Sequence, residues 1–294
     1  MHKEVYQIGV ICTPKGNATE KFLFPLIKKK FDVVFFPLHN DIDYDDLKKK
    51  SESLRVVLNT AGDIPYAFDA LEMIKTFEGF GKHVIDSSKS FYYREDKWLF
   101  YQTCLKHHLP TPKSYYIPRN INLLRGKLRN ILKEGPVVFK GIFSDTGRDV
   151  KRASTYSEAL RAVSILRKHI GTMPIVAQKY IEHGTISYRV TLVGDHIVQA
   201  ITKYGKTWKE GKLFWKNEKY RLFIPDKFVT ELCKKTARIF GLEWCGIDLM
   251  KDSEGQWYLI EVNSCPSMDF IIRDAKRASE ELVDYLLNVH KKTI

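Results

Sequence analysis

Cysteine is scarce in this sequence, and what there is excludes two kinds of small-domain scaffold. The 294 residues contain five cysteines, at positions 12, 104, 233, 245 and 265. Five is an odd number and no two of them form a C-x-x-C pair, so neither a disulfide framework nor a thiolate zinc site is indicated. A reducing cytoplasm is therefore the expected compartment.

Long apolar segments and repeats are missing as well. The opening residues MHKEVYQIGVIC have no apolar h-region, and runs such as 33–36 are far shorter than the ~20 residues that cross a bilayer. We therefore expect neither secretion nor a membrane partner. No repeat of fixed period and no low-complexity tract is visible, which argues against a solenoid or a disordered tail.

The composition is globular and carries an excess of positive charge. Hydrophobic residues make up 44% of the chain and aromatic residues 13%, too many for a disordered protein. Lys and Arg number 48 against 35 Asp and Glu, a formal net charge of +13. This charge attracts nucleic acid, anionic membranes and acidic substrates alike, so it leaves the class of partner open.

Short β-branched and aromatic runs alternate with helix-length segments in the first 88 residues. Residues 5–12, 33–36 and 56–58 are typical of buried strands, and 19–30 and 66–79 are long enough to be crossover helices. The pattern predicts an N-terminal parallel α/β domain over 1–88.

A second unit follows, which we place at 89–181. Residues 94–108 predict a helix that ends at Leu-Pro-Thr-Pro, because neither proline can continue helical hydrogen bonding. A strand at 137–140, a polar turn at 144–148, a helix with apolar residues from 159 to 170 on one face, and a strand at 175–181 complete a central module. His107 and His108 are interpreted as a solvated helix end, and no convincing Ser/His/Asp or Cys/His set is found.

The remaining residues, 182–294, predict a second sheet with two helices. Strands at 189–193 and 197–202 flank Gly194-Asp195, which suits a tight hairpin. Apolar residues recur at helical spacing from 229 to 240 and stop at Gly241, a typical residue after a helix C-terminus. Strands at 245–250 and 257–262 and a final helix complete this domain.

The hairpin at 245–263 carries the strongest chemical signal. If Asp252 pairs with Trp257, counting back along both strands places Asp248 opposite Glu261, and the period of two puts Asn263 on their face. Two carboxylates whose Cβ atoms lie ~5 Å apart repel each other and favour a cation between them. Oxygen ligands of this kind suit Mg²⁺. The alternative is that both carboxylates face solvent, but simple alternation would then expose Trp257 and Leu259 as well.

Lys140 ends the apolar run Pro136-Val-Val-Phe. A lysine that closes a buried strand needs a counter-charge or a route to solvent, and a phosphate would supply that charge. The Ser-Asp-Thr-Gly turn that follows has backbone N–H groups that could cover phosphoryl oxygens, although such a turn alone is often only a turn.

At this point the sequence resembles a known superfamily. Asp96-Lys97 before a helix, Val-Val-Phe-Lys140, Gln178-Lys-Tyr-Ile181, Ser187-Tyr-Arg189, Gly246-Ile-Asp248 and Glu261-Val-Asn263-Ser-Cys-Pro266 together resemble the ATP-grasp superfamily, and most of all its RimK-like branch of amino-acid (often glutamate) ligases. The likeness covers about 90–272. It implies a mixed α/β fold of three parts, with ATP held between the central module and the C-terminal sheet.

The resemblance also implies a role for each matching residue. Lys97 and Lys140 would contact the ATP phosphates, and Lys179, Tyr180 and Ile181 would hold adenine through backbone groups. Ser187 and Asn217 would lie in the nucleotide site. Asp248, Glu261 and Asn263 would bind Mg²⁺, or Mn²⁺ in its place, and Arg189 and Lys203 would face the reacting acyl phosphate. The chain departs from the family pattern at several positions. The family usually has an acidic residue at 179, an aspartate at 187, an arginine at 203 and a glycine at 267, and the paired glycine that follows the match to Asn217 is missing here.

The implied activity is that of an ATP-dependent carboxylate–amine ligase. Its partners would be a small-molecule or acidic peptide or protein acceptor and an amino-acid amine such as glutamate, and a homo-oligomer is left open. Two other functions remain: an ATP-grasp kinase acting on an anionic small molecule, and a basic nucleic-acid-binding protein, which we do not favour. Basic and aromatic residues interleave over 203–223, which suits a wall or flap for a polyanionic acceptor or, equally, an ordinary solvated connection.

Overall fold

The computed structural model describes residues 6–14, 16–38, 43–62, 66–143, 149–205 and 219–292. Within these ranges the strands are β1 (Tyr6–Cys12), β2 (Phe31–Pro37), β3 (Val56–Asn59), β4 (His83–Ile85), β5 (Ser114–Ile117), β6 (Val137–Gly141), β7 (Val150–Ala153), β8 (Ile175–Lys179), β9 (Ile186–Val193), β10 (His196–Tyr204), β11 (Lys219–Leu222), β12 (Trp244–Lys251) and β13 (Trp257–Ser264). The helices are α1 (Ala18–Lys30), α2 (Tyr44–Ser51), α3 (Ala67–Gly79), α4 (Ser88–Glu95), α5 (Lys97–Lys106), α6 (Ile121–Leu132), α7 (Tyr156–Ile170), α8 (Lys227–Phe240) and α9 (Ile272–Lys292).

The first sheet is parallel, with strand order β2-β1-β3-β4. Its strands are continuous apolar runs because helices cover both faces, and the crossover helices α1 and α3 connect them. Leu282 and Leu286 of α9 share a core with Ile8 of β1 and Ile27 of α1, so the C-terminal helix packs on this domain. The predicted parallel α/β domain is confirmed, and the short elements α2 and β4 are additions to it.

The second sheet is antiparallel, with order β5-β8-β6-β7. Helices α6 and α7 pack on it through Leu124, Leu128 and Leu166, which share a core with Phe139 of β6. The predicted strands and helix at 137–140, 159–170 and 175–181 are present, whereas α6, β5 and β7 were not predicted. The polar turn at 144–148 lies outside the described residues.

The helix predicted over 94–108 is wrong at its beginning. The chain has an extended conformation at Asp96, whose side chain accepts hydrogen bonds from the backbone N–H groups of Trp98 and Leu99, so α4 ends at Glu95 and a new helix begins at Lys97. The apolar residues Phe100 and Cys104 of α5 pack against the core of the C-terminal sheet. This short break places Lys97 in the first turn of α5.

The third sheet is antiparallel, with order β11-β10-β9-β12-β13. The predicted hairpin turns at Gly194, which has φ +55°, a region that glycine adopts without strain. Helix α8 ends at Gly241, which has the left-handed conformation expected of a residue after a helix. Strands β9 and β12 lie at the centre, so their inward side chains form the buried core of this domain.

The β12–β13 hairpin has a different register from the predicted one near its turn. Lys251, and not Asp252, pairs with Trp257, and an irregularity at Ile260 then restores the pairing of Asp248 with Glu261. The extra residue also reverses which side chains share a face. Trp257 and Leu259 are buried on the face opposite Glu261, so the sequence argument that placed them with the carboxylates was wrong although the pairing itself is confirmed.

Each predicted domain, 1–88, 89–181 and 182–294, contains one of the three sheets, and the boundaries themselves stay a prediction. No helix among the described residues is both long and apolar enough to cross a membrane.

Candidate nucleotide and metal site

Strand pairing brings Arg189, Lys203 and Asp248 together. Asp248 of β12 lies directly beside Arg189 of β9, and Lys203 of β10 lies one strand further, opposite Ser187. Arg189 donates from Nε and Nη2 to the two carboxylate oxygens of Asp248, at 2.8 and 2.6 Å. Lys203 Nζ donates to Asp248 Oδ1 at 3.1 Å. The predicted residues Ser187, Arg189, Lys203 and Asp248 therefore lie on one face of the sheet.

These three charges are largely shielded from solvent. The exposed fractions of the side chains are 14% for Arg189, 18% for Lys203 and 13% for Asp248. Burial alone would raise the pKa of Asp248, but the two cations outweigh it and hold that pKa well below its usual range. Burial and the neighbouring Arg189 lower the pKa of Lys203, against the opposing effect of Asp248.

Glu261 and Asn263 add two more side chains with oxygen atoms to this face. Glu261 is the cross-strand partner of Asp248, and the Asn263 side-chain amide donates to Asp248 Oδ2 at 3.3 Å. The predicted trio of oxygen-bearing side chains is thus brought together. The sequence missed how the Asp248 carboxylate is neutralised, since Arg189 and Lys203 supply the positive charge that we expected a metal ion to supply.

Lys140 and Lys97 approach the same region from the central module. Lys140 lies in β6 and is 8% exposed. The backbone N–H of Lys97 donates to the carbonyl of Ile142, directly after β6, at 3.3 Å, which fixes the beginning of α5 beside the end of that strand. Burial lowers the pKa of Lys140 to about 8, with a further decrease from Lys97 and an opposing increase from Glu261.

Glu261 connects the two halves of the site electrostatically. Its charge acts on Lys140 of the central module and on Lys203 of the C-terminal sheet. Four cationic side chains, Lys97, Lys140, Arg189 and Lys203, therefore surround two carboxylates between the second and third sheets. This surplus of positive charge suits a bound polyphosphate.

Residues 179–181, which we call the hinge, begin the connection between the second and third sheets, and only some of their backbone groups are available to a ligand. The backbone N–H groups of Lys179 and Tyr180 donate to Lys113 O at 2.8 Å and Pro136 O at 2.9 Å. They continue the strand pairing, so adenine would have to use the other backbone groups of 179–181. The Lys179 side chain is exposed and Ile181 is buried, while Arg152 lies 4.0 Å over the Tyr180 ring. Asn217 lies outside the described residues.

Two residues that we did not predict also contact the site. Phe270, after the Pro266 motif, lies against both cations, with Arg189 Cζ 5.5 Å and Lys203 Nζ 5.8 Å from its ring centroid. Arg94 is buried and donates to Ser264 Oγ at 2.7 Å, next to Asn263. Neither residue belongs to a periodic pattern or a motif. Each contacts residues that are distant in the sequence, so its position is visible only in the folded structure.

The donor set fits a hard divalent cation. Asp248, Glu261 and Asn263 offer only carboxylate and amide oxygens on one sheet face, which is the chemistry that Mg²⁺ prefers. An ion at Asp248 would have to share or displace the contacts from Arg189 and Lys203. The cluster contains two acidic residues, and among the described residues no group of three or more His, Cys, Asp or Glu side chains could hold a metal ion by itself.

Known proteins are similar to this chain in sequence and in fold. Residues 94–286 match the RimK-like ATP-grasp domain. A probable alpha-L-glutamate ligase of Haemophilus influenzae (strain PittEE) is 24% identical over 217 residues, which is 73% of this chain and 70% of that protein. Its counterpart in Saccharophagus degradans is 24% identical over 230 residues, covering 76% and 73%.

Solved structures show the same architecture at lower identity. The D-alanyl-alanine synthetase A of Vibrio cholerae superposes with a TM-score of 0.75 at 12% identity, covering 99% of each chain. The ATP-grasp ligase PsnB, complexed with a phosphomimetic variant of its minimal precursor, Mg and ADP, gives 0.71 at 14% identity over 96% of this chain and 98% of PsnB.

These comparisons confirm the predicted mixed α/β ATP-grasp fold and the expected class of enzyme, an ATP-dependent carboxylate–amine ligase. ATP and Mg are the cofactors that ligases of this kind use. Because the matched domain spans most of the chain and contains every described residue of the charged site, the protein belongs to the RimK-like ATP-grasp family.

Proposed function

We propose that this enzyme joins an amino acid, such as glutamate, through its amine to a carboxylate of an acidic peptide or protein acceptor. The observation that carries the proposal is the set of four cations, Lys97, Lys140, Arg189 and Lys203, gathered around Asp248 and Glu261 between two sheets. The relatives named probable alpha-L-glutamate ligases support the choice of amine.

The reaction has two steps. The acceptor carboxylate attacks the γ-phosphorus of ATP, forming an acyl phosphate and releasing ADP. The amine then attacks the acyl carbon, forming the amide bond, and phosphate and a proton leave. No side-chain nucleophile is required, so the protein contributes position and charge, which can supply much of the rate enhancement in a phosphoryl transfer.

The two pairs of cations have different tasks in this scheme. Lys97 and Lys140, on the central module, would bind the phosphate chain. Arg189 and Lys203, on the C-terminal sheet, would hold the reacting carboxylate and neutralise the charge that develops on the transferred phosphoryl group. Mg²⁺ bound by Asp248, Glu261 and Asn263 would neutralise phosphate oxygens, and Mn²⁺ is proposed as a substitute because it accepts the same oxygen ligands.

Hydroxylamine trapping tests the proposal. The enzyme is incubated with Mg-ATP, an oligoglutamate peptide, glutamate and hydroxylamine, and we expect ADP release together with a hydroxamate of the peptide. ADP release with a phosphorylated product and no hydroxamate would indicate a kinase instead. RNA or DNA binding that falls steeply with salt but persists in an Asp248→Ala variant would favour a nucleic-acid-binding protein.

We also propose a reducing cytoplasm as the compartment. All five cysteines are free thiols, and four of them are buried. Burial raises the pKa of Cys104 and of Cys233 to about 12, which keeps both as unreactive thiols.

A further inference from the structure

The net positive charge of the chain is concentrated in one small part of it. Residues 114–179, which contain the second sheet with α6 and α7, include thirteen Lys and Arg against four Asp and Glu. Nine of the thirteen net positive charges therefore lie in 66 residues. Of these cations only Lys140 belongs to the proposed phosphate site. Most of the positive charge of residues 114–179 therefore lies outside that site and needs another explanation.

Much of this charge lies on the outer side of the two helices. The inward faces of α6 and α7 share one apolar core, which includes Leu128 and Leu166. Exposed cations lie on the helices and just beside them, and we call this surface the basic helix face: Arg119, Arg125, Arg129, Lys133, Arg161 and Lys168. Arg129 Cζ lies 5.3 Å over the Tyr156 ring at the beginning of α7, which shows that the two helices are neighbours there.

The two exposed carboxylates near this face already have other partners. Glu134 accepts from Lys113 Nζ at 2.9 Å. Glu158 accepts from the backbone N–H groups of Ser154 and Thr155, at 2.7 and 3.0 Å, in the cap of α7. In the part of the chain that the structure describes, none of Arg125, Lys133, Arg161 and Lys168 has a carboxylate oxygen within 4.0 Å.

A basic strip leads from this face toward the hinge. The edge strand β7, against which α7 packs, carries Lys151 and Arg152. Arg152 reaches the Tyr180 ring in the hinge, 4.0 Å away. The path around this edge crosses a helix layer and a sheet, roughly 20–25 Å, which an extended peptide covers with about seven or eight residues.

We propose that the basic helix face docks an acidic segment of the polypeptide acceptor while the end of that acceptor enters the ligation site. This inference rests on the proposed function, since it assigns a second binding surface to the same acceptor. Charge complementarity supports an acidic partner. Ile121 and Leu123, 49% and 64% exposed at the beginning of α6, favour a polypeptide over a nucleic acid, because a phosphodiester chain has no apolar side chains to bury there.

The test compares two charge-reversal triples that change the net charge equally. The first, Arg125→Glu with Arg161→Glu and Lys168→Glu, alters the basic helix face. The control, Lys29→Glu with Lys48→Glu and Lys49→Glu, alters exposed lysines of α1 and α2 in the N-terminal domain. Fluorescence anisotropy measures binding of labelled oligoglutamates of about twelve and about three residues and of an RNA of similar length, at several salt concentrations.

We expect the first triple to weaken binding of the long peptide about tenfold or more, and the control by less than about twofold. The KM of the long peptide in ligation should rise by a similar factor, while that of the short peptide should not change. The proposal would be overturned if both triples weakened binding of the long peptide equally. It would also be overturned if RNA bound more tightly than the long peptide and only the first triple abolished that RNA binding. Absence of ligation with every peptide would contradict the proposed function alone, since the binding measurement still tests the docking surface.

Discussion

At the scale of single residues, Asp248 combines two tasks that no other side chain of the site combines. It neutralises Arg189 and Lys203, which are both largely buried, and in the proposed function it also offers oxygen atoms to a metal ion. Removing one partner of a buried ion pair leaves an uncompensated charge, which costs far more than the net worth of the pair. Glu261 is proposed as a metal ligand too, but it neutralises cations only at longer range: its charge acts on Lys140 and Lys203, and it forms no ion pair within 4.0 Å among the described residues.

Asp248 and Glu261 should therefore differ in their effect on stability although both matter for turnover. We expect Asp248→Asn and Glu261→Gln each to lower turnover about 10²-fold. Without nucleotide, Asp248→Asn should lower the free energy of unfolding by about 3 kcal/mol, and Glu261→Gln by less than about 1 kcal/mol. Denaturant titrations and steady-state kinetics measure both. Equal stability losses would contradict the dual role, and near-normal turnover in both variants would remove the metal assignment.

Lys140 presents the reverse case, a charge whose burial is unfavourable until a ligand arrives. Its pKa is lowered to about 8, first by burial and then by Lys97. Lys140→Met keeps the aliphatic chain and removes the charge. We expect Mg-ATP affinity, measured by calorimetry, to fall about tenfold or more, since a charge-assisted contact to phosphate is lost, and the Tm of the free protein to stay the same or rise.

Lys179→Met is the matched control for that prediction. It makes the same replacement at the exposed end of β8 in the same module, and it should change neither property appreciably. A fall of several degrees in the Tm of Lys140→Met would mean that Lys140 serves the fold and not the nucleotide.

At the scale of elements, the cap of α5 positions Lys97, the residue that we propose to bind phosphate. Asp96 accepts from Trp98 and Leu99 N–H groups at 2.8 and 2.9 Å, which fixes where the helix begins and therefore where Lys97 lies. Asp96→Ala should cost about 1 kcal/mol of stability and raise the KM for ATP several-fold. Asp96→Asn keeps an acceptor oxygen and should restore both properties. If Asp96→Ala changes stability but leaves the KM for ATP untouched, the cap does not position Lys97.

Elements also show how far sequence reasoning could reach. Helices α7 and α8 were predictable because one face of each is apolar, and β1 was predictable because its residues form a continuous run typical of a strand buried on both faces. The pairing of Asp248 with Glu261 was predicted, but from a register that is wrong at the turn and is corrected by the irregularity at Ile260. Alternation alone contains no signal for such an extra residue. Edge strands β5, β7 and β11 are four residues long, too short to show any period.

The ion pairs of the site were beyond reach for a different reason. Arg189 and Asp248 are 59 positions apart in the sequence and meet because β9, not β10, is the neighbour of β12. The family resemblance predicted a role for both residues. It could not indicate that the two side chains form an ion pair with each other, because that depends on the strand order of the folded sheet.

At the scale of the whole molecule, a buried carboxyl group links the first and third sheets. Asp86 directly follows β4 and is 5% exposed. Its Oδ1 accepts from the backbone N–H groups of Glu243 and Trp244, at the beginning of β12, at 2.6 and 3.0 Å. Burial raises the pKa of Asp86 to about 7, against the opposing effect of these two hydrogen bonds and of Arg94. The contact between these sheets therefore contains an acid that stays protonated in mildly acidic solution.

This carboxyl group should make the stability of the molecule decrease with pH between about 4 and 7. In that range the folded protein keeps a proton that the unfolded chain has lost, so each rise in pH favours unfolding until Asp86 ionises in both states.

Asp86→Asn keeps the accepting oxygen and removes the titration. Denaturant titrations at pH 5 to 8 measure the free energy of unfolding of both proteins. We expect that of the wild type to fall relative to that of the variant as the pH rises, and the two curves to run parallel above about pH 7.5. The pKa of His83 is raised by Glu243, against the effect of burial, and to a smaller extent by Asp86. Both proteins are therefore also compared in a His83→Gln background, which leaves only the titration of Asp86 in the difference. Parallel curves over the whole range would mean that Asp86 ionises freely in the folded state and that its buried contact to β12 does not hold the two sheets together as described.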